Sequence, residues 1–312
     1  MSDTLSPAEN PGREWPRIAA LVLVLFASSI VQPSLLVAVP FLVLIGGTGV
    51  RGAPMLLAAL LAMTLSIAGV RDGVWYVERA WALMVGAGFL AMTVGMPKIR
   101  LAERALVAVL GSAAVAAVML WLRPGSWAAV EYVVADRVTT GVSMVLDSFI
   151  VLRGGEALSP ALVAAVYQMA DSQIRHFPAL TGIVSMAGAC VAWVVYSRLA
   201  RRPRPALGPL RDFRFNDHLI WLFVGGLLLL VGRSGEAFGR LGSNLVLFMG
   251  ALYALRGVGV IAFLTGGLSL FGYIMTGIGL LIIPPVVVVG ATMIGLGDTW
   301  LDVRTRVRDL AA

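Results

Sequence analysis

The chain has 312 residues, of which 59% are hydrophobic and 13% charged, with a formal net charge of +7. A soluble domain carries about 25% charged residues. The deficit excludes a water-surrounded globule unless its core is very large, and repeated apolar runs of membrane-spanning length point to a bilayer instead. Nucleic-acid binding is also excluded, despite a pI near 10.3, because the basic residues fall between apolar runs rather than on one polar domain.

Residues 1–17 contain Pro7, Pro11, Pro16 and mixed charges, and read as a disordered cytoplasmic tail. Ala27-Ser28-Ser29 faintly resembles a signal-peptidase site, but Asp3, Glu9 and Glu14 ahead of it argue against a cleaved signal. Apolar segments follow at 18–31, 35–50, 53–70, 80–96, 105–122, 179–199, 218–232, 243–265 and 268–294. They predict an all-α polytopic membrane helix bundle of about eight or nine crossings. Gln32-Pro33-Ser34 separates the first two segments, and a tight helical hairpin and one broken helix both stay open there.

Orientation comes from arginine and lysine. Lys98, Arg100 and Arg104 form one basic loop; Arg198, Arg201, Arg202, Arg204, Arg211 and Arg214 form another. Both are expected to be cytoplasmic. Segments 105–122 and 179–199 lie between them and place residues 123–178 on the far side, as an extracytoplasmic amphipathic helical insertion. There Val130, Val133, Val134, Val138, Val142, Val145 and Phe149 recur at helical spacing. Asp136, Thr140, Ser143 and Asp147 occupy the opposite face, as the polar wall of a ligand cavity or as the wet side of a helix lying on the membrane.

A second helix is expected from Ser159, an N-cap followed by Pro160. Gln168, Asp171, Ser172 and Arg175 lie along its end, with Asp171 and Arg175 spaced to pair. His176, beside Phe177-Pro178, reads as a helix-end residue near the interface. Cys190 is the sole cysteine, so no disulfide framework or thiolate metal site arises. His176 and His218 are too few and too far apart for a zinc site, and no cofactor is expected. The Arg201-Arg202-Pro203-Arg204-Pro205 stretch is a helix-breaking linker.

Asn244 opens the segment 243–265 as a cap or a ligand. Arg256 lies within the apolar run from Ala251 to Ile261. An arginine at mid-bilayer costs at least ~2.5 kcal/mol and faces protein or water. Its guanidinium suits a carboxylate or phosphate; the other reading is that it sits near a span end and snorkels. Gly266, Gly267, Gly272, Gly277 and Gly279 permit close helix contact, and Pro284-Pro285 should kink or split the last segment. Arg304, Arg306 and Arg308 call for a cytoplasmic tail, yet three apolar segments separate them from the Arg-Pro linker. Either one of the three is re-entrant or splits at Pro284-Pro285, or the tail is outside.

Trp15, Trp75, Trp81, Trp121, Trp127, Trp221 and Trp300 fall near segment ends, as an interfacial belt requires, and Trp193 lies inside a run. Gly-x-Ser-x-Gly, His-Glu-x-x-His and a phosphate-binding Gly-Lys-Ser/Thr loop do not occur, so no enzymatic activity is expected.

From Arg201 onward the chain resembles the YybS-like family of bacterial multispanning membrane proteins, a family of unknown function. The resemblance rests on the basic Pro-rich loop leading into Asp212-Phe213-Arg214-Phe215, on Ser243-Asn244-Leu245, and on Tyr253 to Val260 with Arg256-Gly257. Its most specific piece is Gly295-Leu296-Gly297-Asp298-Thr299-Trp300-Leu301-Asp302-Val303-Arg304. Arg256 stands where the resemblance implies an uncharged polar residue. The overall layout is also similar to that of substrate-binding membrane subunits of vitamin-uptake transporters and of a small membrane protein of the cell-shape machinery.

The expectation is therefore a cytoplasmic tail (1–17), an N-terminal transmembrane bundle (18–122), the insertion (123–178) and a C-terminal bundle (179–312) in the bacterial inner membrane. The leading function is a small-molecule-binding or transport-related subunit, with Arg256, Asn244, Asp136, Asp147, Asp171 and Gln168 as candidate ligands. Its partners would be the lipid bilayer, other membrane subunits and, for energised transport, a separate ATP-binding protein. The alternative is a non-catalytic scaffold or assembly factor of the cell envelope.

Overall fold

The computed structural model describes residues 31–50, 52–69, 71–152, 154–155, 157–200, 210–232, 235–266, 272, 274–275 and 284–311. Segment 18–31 therefore falls almost wholly outside the described residues, as do Trp15, the Arg-Pro linker and most of 267–283.

The described residues form helices and no strand. Pro33 opens α1 (Pro33–Thr48), where its missing N–H is no loss. Next come α2 (Ala53–Ile67) and α3 (Gly73–Gly95), the latter capped by Asp72, which accepts the Trp75 N–H. After α4 (Leu101–Trp121), α5 (Ser126–Leu152) and α6 (Pro160–Leu199) make up the insertion and the span that follows it. Two short 3-10 turns lead into α7 (Ile220–Val231), then α8 (Glu236–Leu264), α9 (Pro284–Leu301) and α10 (Val303–Ala311). Helices α3, α4, α6 and α8 are long and apolar enough to cross a bilayer; α1, α2, α7 and α9 are shorter apolar helices.

The centre of the bundle is the second half of α6. Ala189, Ala192, Trp193 and Tyr196 pack against Phe41 and Leu44 of α1, Phe89 of α3, Leu106 and Val109 of α4, and Phe248 and Leu252 of α8. Small residues let the backbones close in: a Cβ on Gly188 would lie 2.8 Å from the Leu36 carbonyl oxygen. Trp193 is fully inside, edge-on to Phe89. Trp121, Trp221 and Trp300 are 82%, 70% and 69% exposed at helix ends, as a belt requires. Trp81 departs from the belt, since it points inward and donates its Nε1–H to Ser185 at 2.8 Å.

Two local expectations change. The Ser159 cap forms, accepting the Leu162 N–H at 3.3 Å, but the helix it opens does not stop near Phe177-Pro178. It runs on through Pro178 to Leu199, so the 178/179 boundary between insertion and bundle falls inside one helix. Forty residues at ~1.5 Å each reach about twice the ~30 Å hydrocarbon thickness, so roughly half of α6 must project beyond the bilayer. The buried, apolar half after Pro178 is the spanning one. His176 is accordingly no helix-end residue; mid-helix, it donates Nδ1–H to the Ser172 carbonyl at 2.8 Å.

The projecting half pairs with α5. Val134, Val138 and Ala170 form its core, joined by Val130, Val142, Ile174 and Phe177, and Trp127 stacks on Phe177. The expected apolar stripe of α5 is thus covered from Val130 to Val142. Further along it opens: Val145 and Phe149 are 51% and 53% exposed.

Candidate functional site

Proline has no N–H, so Pro178 deprives the Ile174 carbonyl of its helical donor. Two side chains of α8 compensate. Arg240 donates Nη2–H to the Ile174 carbonyl at 3.1 Å and Nε–H to the Arg175 carbonyl at 3.3 Å. Asn244, 7% exposed, accepts the Ala179 N–H on Oδ1 at 3.0 Å and donates Nδ2–H to the Arg175 carbonyl at 3.1 Å. Ala179 N–H and Arg175 C=O are the pair that an uninterrupted helix joins directly, so the Asn244 carboxamide stands in for a peptide group. Arg240 also reaches Glu131 of α5 at 2.5 Å and lies over the Trp127 ring. One arginine and one asparagine therefore tie α5, α6 and α8 together. Asn244→Ala leaves a buried donor and weakens the acceptor opposite, at a cost of about 2 kcal/mol. In that background Pro178→Ala should recover part of the loss, because without the ring the helix can close and the Ala179 N–H can bond the Arg175 carbonyl directly. Unfolding midpoints in detergent test both; an unchanged midpoint for Asn244→Ala removes the role assigned to its side chain.

Beside this junction lies an open cleft of about 220 Å³, lined by Glu131, Asp171, Ile174, Arg175, Glu236 and Arg240. The Asp171–Arg175 pair expected from their spacing is not formed; among the described residues neither they nor Glu236 makes an ion pair. With Glu131 matched by Arg240, the uncommitted groups are two carboxylates and one guanidinium. Asp136, Asp147 and Gln168 are exposed on the α5–α6 hairpin and line no part of this cleft.

A smaller cleft, about 110 Å³, adjoins Glu78 of α3. Glu78 is 4% exposed and its carboxylate meets Arg137 of α5 at 2.7 Å, Arg79 at 3.5 Å and the Gln32 N–H at 3.3 Å. Arg79 in turn closes the end of α2 by donating to the carbonyls of Ser66 and Ala68. Sequence reasoning passed over Glu78. Its signal was a carboxylate two residues ahead of the apolar segment 80–96, and so close to a membrane span that a buried position there demands a cationic partner.

Arg256 occupies a different place. It lies twelve residues beyond Asn244 on the same helix, about 18 Å away, and the two share no site. Arg256 is 2% exposed and does not snorkel. Its Nε–H donates to Asp298 Oδ2 at 2.9 Å, Nη1–H to Asp217 at 2.5 Å and Nη2–H to the Asp298 carbonyl at 3.3 Å, while Phe215 packs against the guanidinium. Asp298 Oδ2 also accepts from Arg304 at 2.8 Å. Arg304, 2% exposed, donates further to the carbonyls of Arg211 and Phe213 at 2.9 and 3.0 Å. Arg214 pairs with Asp302. Asp302 turns the chain between α9 and α10 with a positive φ of 40°, and its carboxyl is held below the ordinary value by the Thr305 hydroxyl and then by Arg214. Each guanidinium here is already met by the chain's own oxygens. The arrangement can neutralise charge and hold elements together. These contacts also put the start of the tail on the same side of the membrane as residues 211–214.

The counter-ions of Arg256 were not foreseen individually, although Asp298 stands in the segment that carries the family resemblance. Among the described residues no three His, Cys, Asp or Glu side chains converge as a metal-ligand group.

Residues 18–299 match the family described as "Predicted membrane protein (DUF2232)". At the level of a membrane-protein family of unknown function, this agrees with the resemblance seen from Arg201 onward. No curated protein and no solved structure matches the chain.

Proposed function

Because the chain belongs to the DUF2232 family of predicted membrane proteins, we propose that it is a non-catalytic, multi-pass protein of the bacterial inner membrane that binds a small charged solute on its outer face, as a transport-related subunit of the YybS-like kind. The observation that carries this reading is the cleft where the α5–α6 insertion meets α8, with Asp171, Glu236 and Arg175 uncommitted along it. At about 220 Å³ it is below the 300–1,000 Å³ of drug-sized pockets, which suits a ligand of few heavy atoms. Two carboxylates against one guanidinium favour an amine or a zwitterion. In this reading residues 211–214 are cytoplasmic, as the positive-inside rule favours, and the tail, whose Arg304 bonds the carbonyls of Arg211 and Phe213, shares that side. Energised uptake would draw on a separate ATP-binding partner.

The test is the unfolding midpoint of the purified protein in nanodiscs with ethylamine, choline and glycine as probes. At least one probe should stabilise the native chain. Asp171→Asn with Glu236→Gln should weaken that effect tenfold or more, about 1.4 kcal/mol and within the value of one charge-assisted hydrogen bond. No response to any probe, or an equal response in the double variant, rejects the binding reading. The scaffold reading has its own support in the open apolar end of the insertion, where Val151 and Leu152 are 77% and 81% exposed.

A further inference from the structure

A membrane-embedded chain meets the lipid surface at the ends of its spans, and α10 stands at such an end. Only Asp302 separates α9 from α10, so α10 cannot leave the interface. Arg304 is consumed inside the protein by Asp298 and by two backbone carbonyls, which fixes the rotation of the helix. With that face turned inward, Arg306 is exposed, and Val307 keeps 38% of its surface open. Arg211, whose carbonyl holds Arg304, is exposed beside them. Asp309 is the one acidic residue of α10. An apolar side chain open next to exposed guanidiniums, on a helix held at the membrane boundary, has the composition of an element lying in the headgroup plane.

We propose that α10 lies on the cytoplasmic leaflet and binds anionic phospholipid headgroups through Arg306 and Arg211, with Val307 directed to the acyl boundary. Charge complementarity selects the occupant, since basic juxtamembrane residues gain about a fivefold preference each for an anionic surface. The role given to Arg304 differs: it is a positioning residue that sets which face of α10 meets the lipid.

The experiment is hydrogen–deuterium exchange of residues 303–311 in the full-length protein. The protein is held in nanodiscs of phosphatidylcholine alone or with added phosphatidylglycerol. Phosphatidylglycerol should slow exchange several-fold, and Arg306→Gln should reduce that slowing about fivefold. High salt should weaken it. Arg123→Gln, an exposed arginine between α4 and α5, should leave the lipid dependence intact. Equal exchange in the two lipids overturns the proposal, and that comparison needs no variant. Protection by inorganic phosphate alone in phosphatidylcholine discs also overturns it, because the site would then be one for a small anion.

Discussion

Arg256→Leu is expected to lower the unfolding midpoint sharply, at a cost of about 3–5 kcal/mol, the range for breaking a buried ion pair by removing one partner. The leucine fills the space but leaves Asp298, 1% exposed, with one guanidinium instead of two. The partners predict an internal contrast. Asp298→Asn should cost at least as much, because Arg256 and Arg304 both lose the carboxylate oxygen they share. Asp217→Asn should cost no more than about 1 kcal/mol, since its side chain is 61% exposed and its pairing is screened by water. A double-mutant cycle between positions 256 and 298 should return a coupling of about 1–3 kcal/mol. A midpoint for Arg256→Leu equal to that of the native chain would mean that the pairing contributes nothing, and the account of this buried charge cluster would fail with it.

The second large effect is expected at Gly257. A Cβ there would overlap the Ala291 carbonyl oxygen, and a Cβ on Gly295 would overlap that of Tyr253. The two helices therefore touch backbone to backbone, and the Thr292 hydroxyl adds a hydrogen bond to the Gly250 carbonyl at 3.2 Å. Lipid tails supply no hydrophobic force between helices, so their association depends on such close packing. Gly257→Ala or Gly295→Ala should force α8 and α9 apart and cost about 3 kcal/mol, the upper end for overpacking. Gly250→Ala, where nothing lies within 4 Å of the added carbon, should be neutral or slightly stabilising by helix propensity. Equal behaviour of positions 250 and 257 in detergent unfolding would refute the close approach. Separation of the pair would also pull Asp298 from Arg256, so Gly257→Ala and Arg256→Leu should be less than additive.

The two sites differ in how much of each could be read beforehand. Arg256 stood out because a charge in an apolar run costs several kcal/mol unless it is met, and that cost is a property of the run itself. Which carboxylate meets it is not local: Asp298 lies 42 residues away and Asp217 lies 39. Asn244 was singled out as a cap or a ligand; it lies eight residues inside α8 and therefore does not cap it. Its partners lie 65 and 69 residues earlier, at a proline in another helix. Asp136, Asp147 and Gln168 share a hydrophilic stretch with Asp171, but only Asp171 borders the cleft.

By itself the sequence determined the all-helical character of the described chain, its membrane setting and most helix ends. Each of these follows from short-range terms: an apolar stretch must satisfy its backbone within itself in lipid, and caps such as Ser159 act within a few residues. The tertiary structure alone decided that α6 continues through Pro178, that the tail lies beside residues 211–214, and that the buried charges are matched internally. Local rules end a helix where a donor is missing, but a side chain from a neighbouring helix can meet the acceptor left behind. That outcome depends on which helices pack together, which no single stretch of sequence encodes.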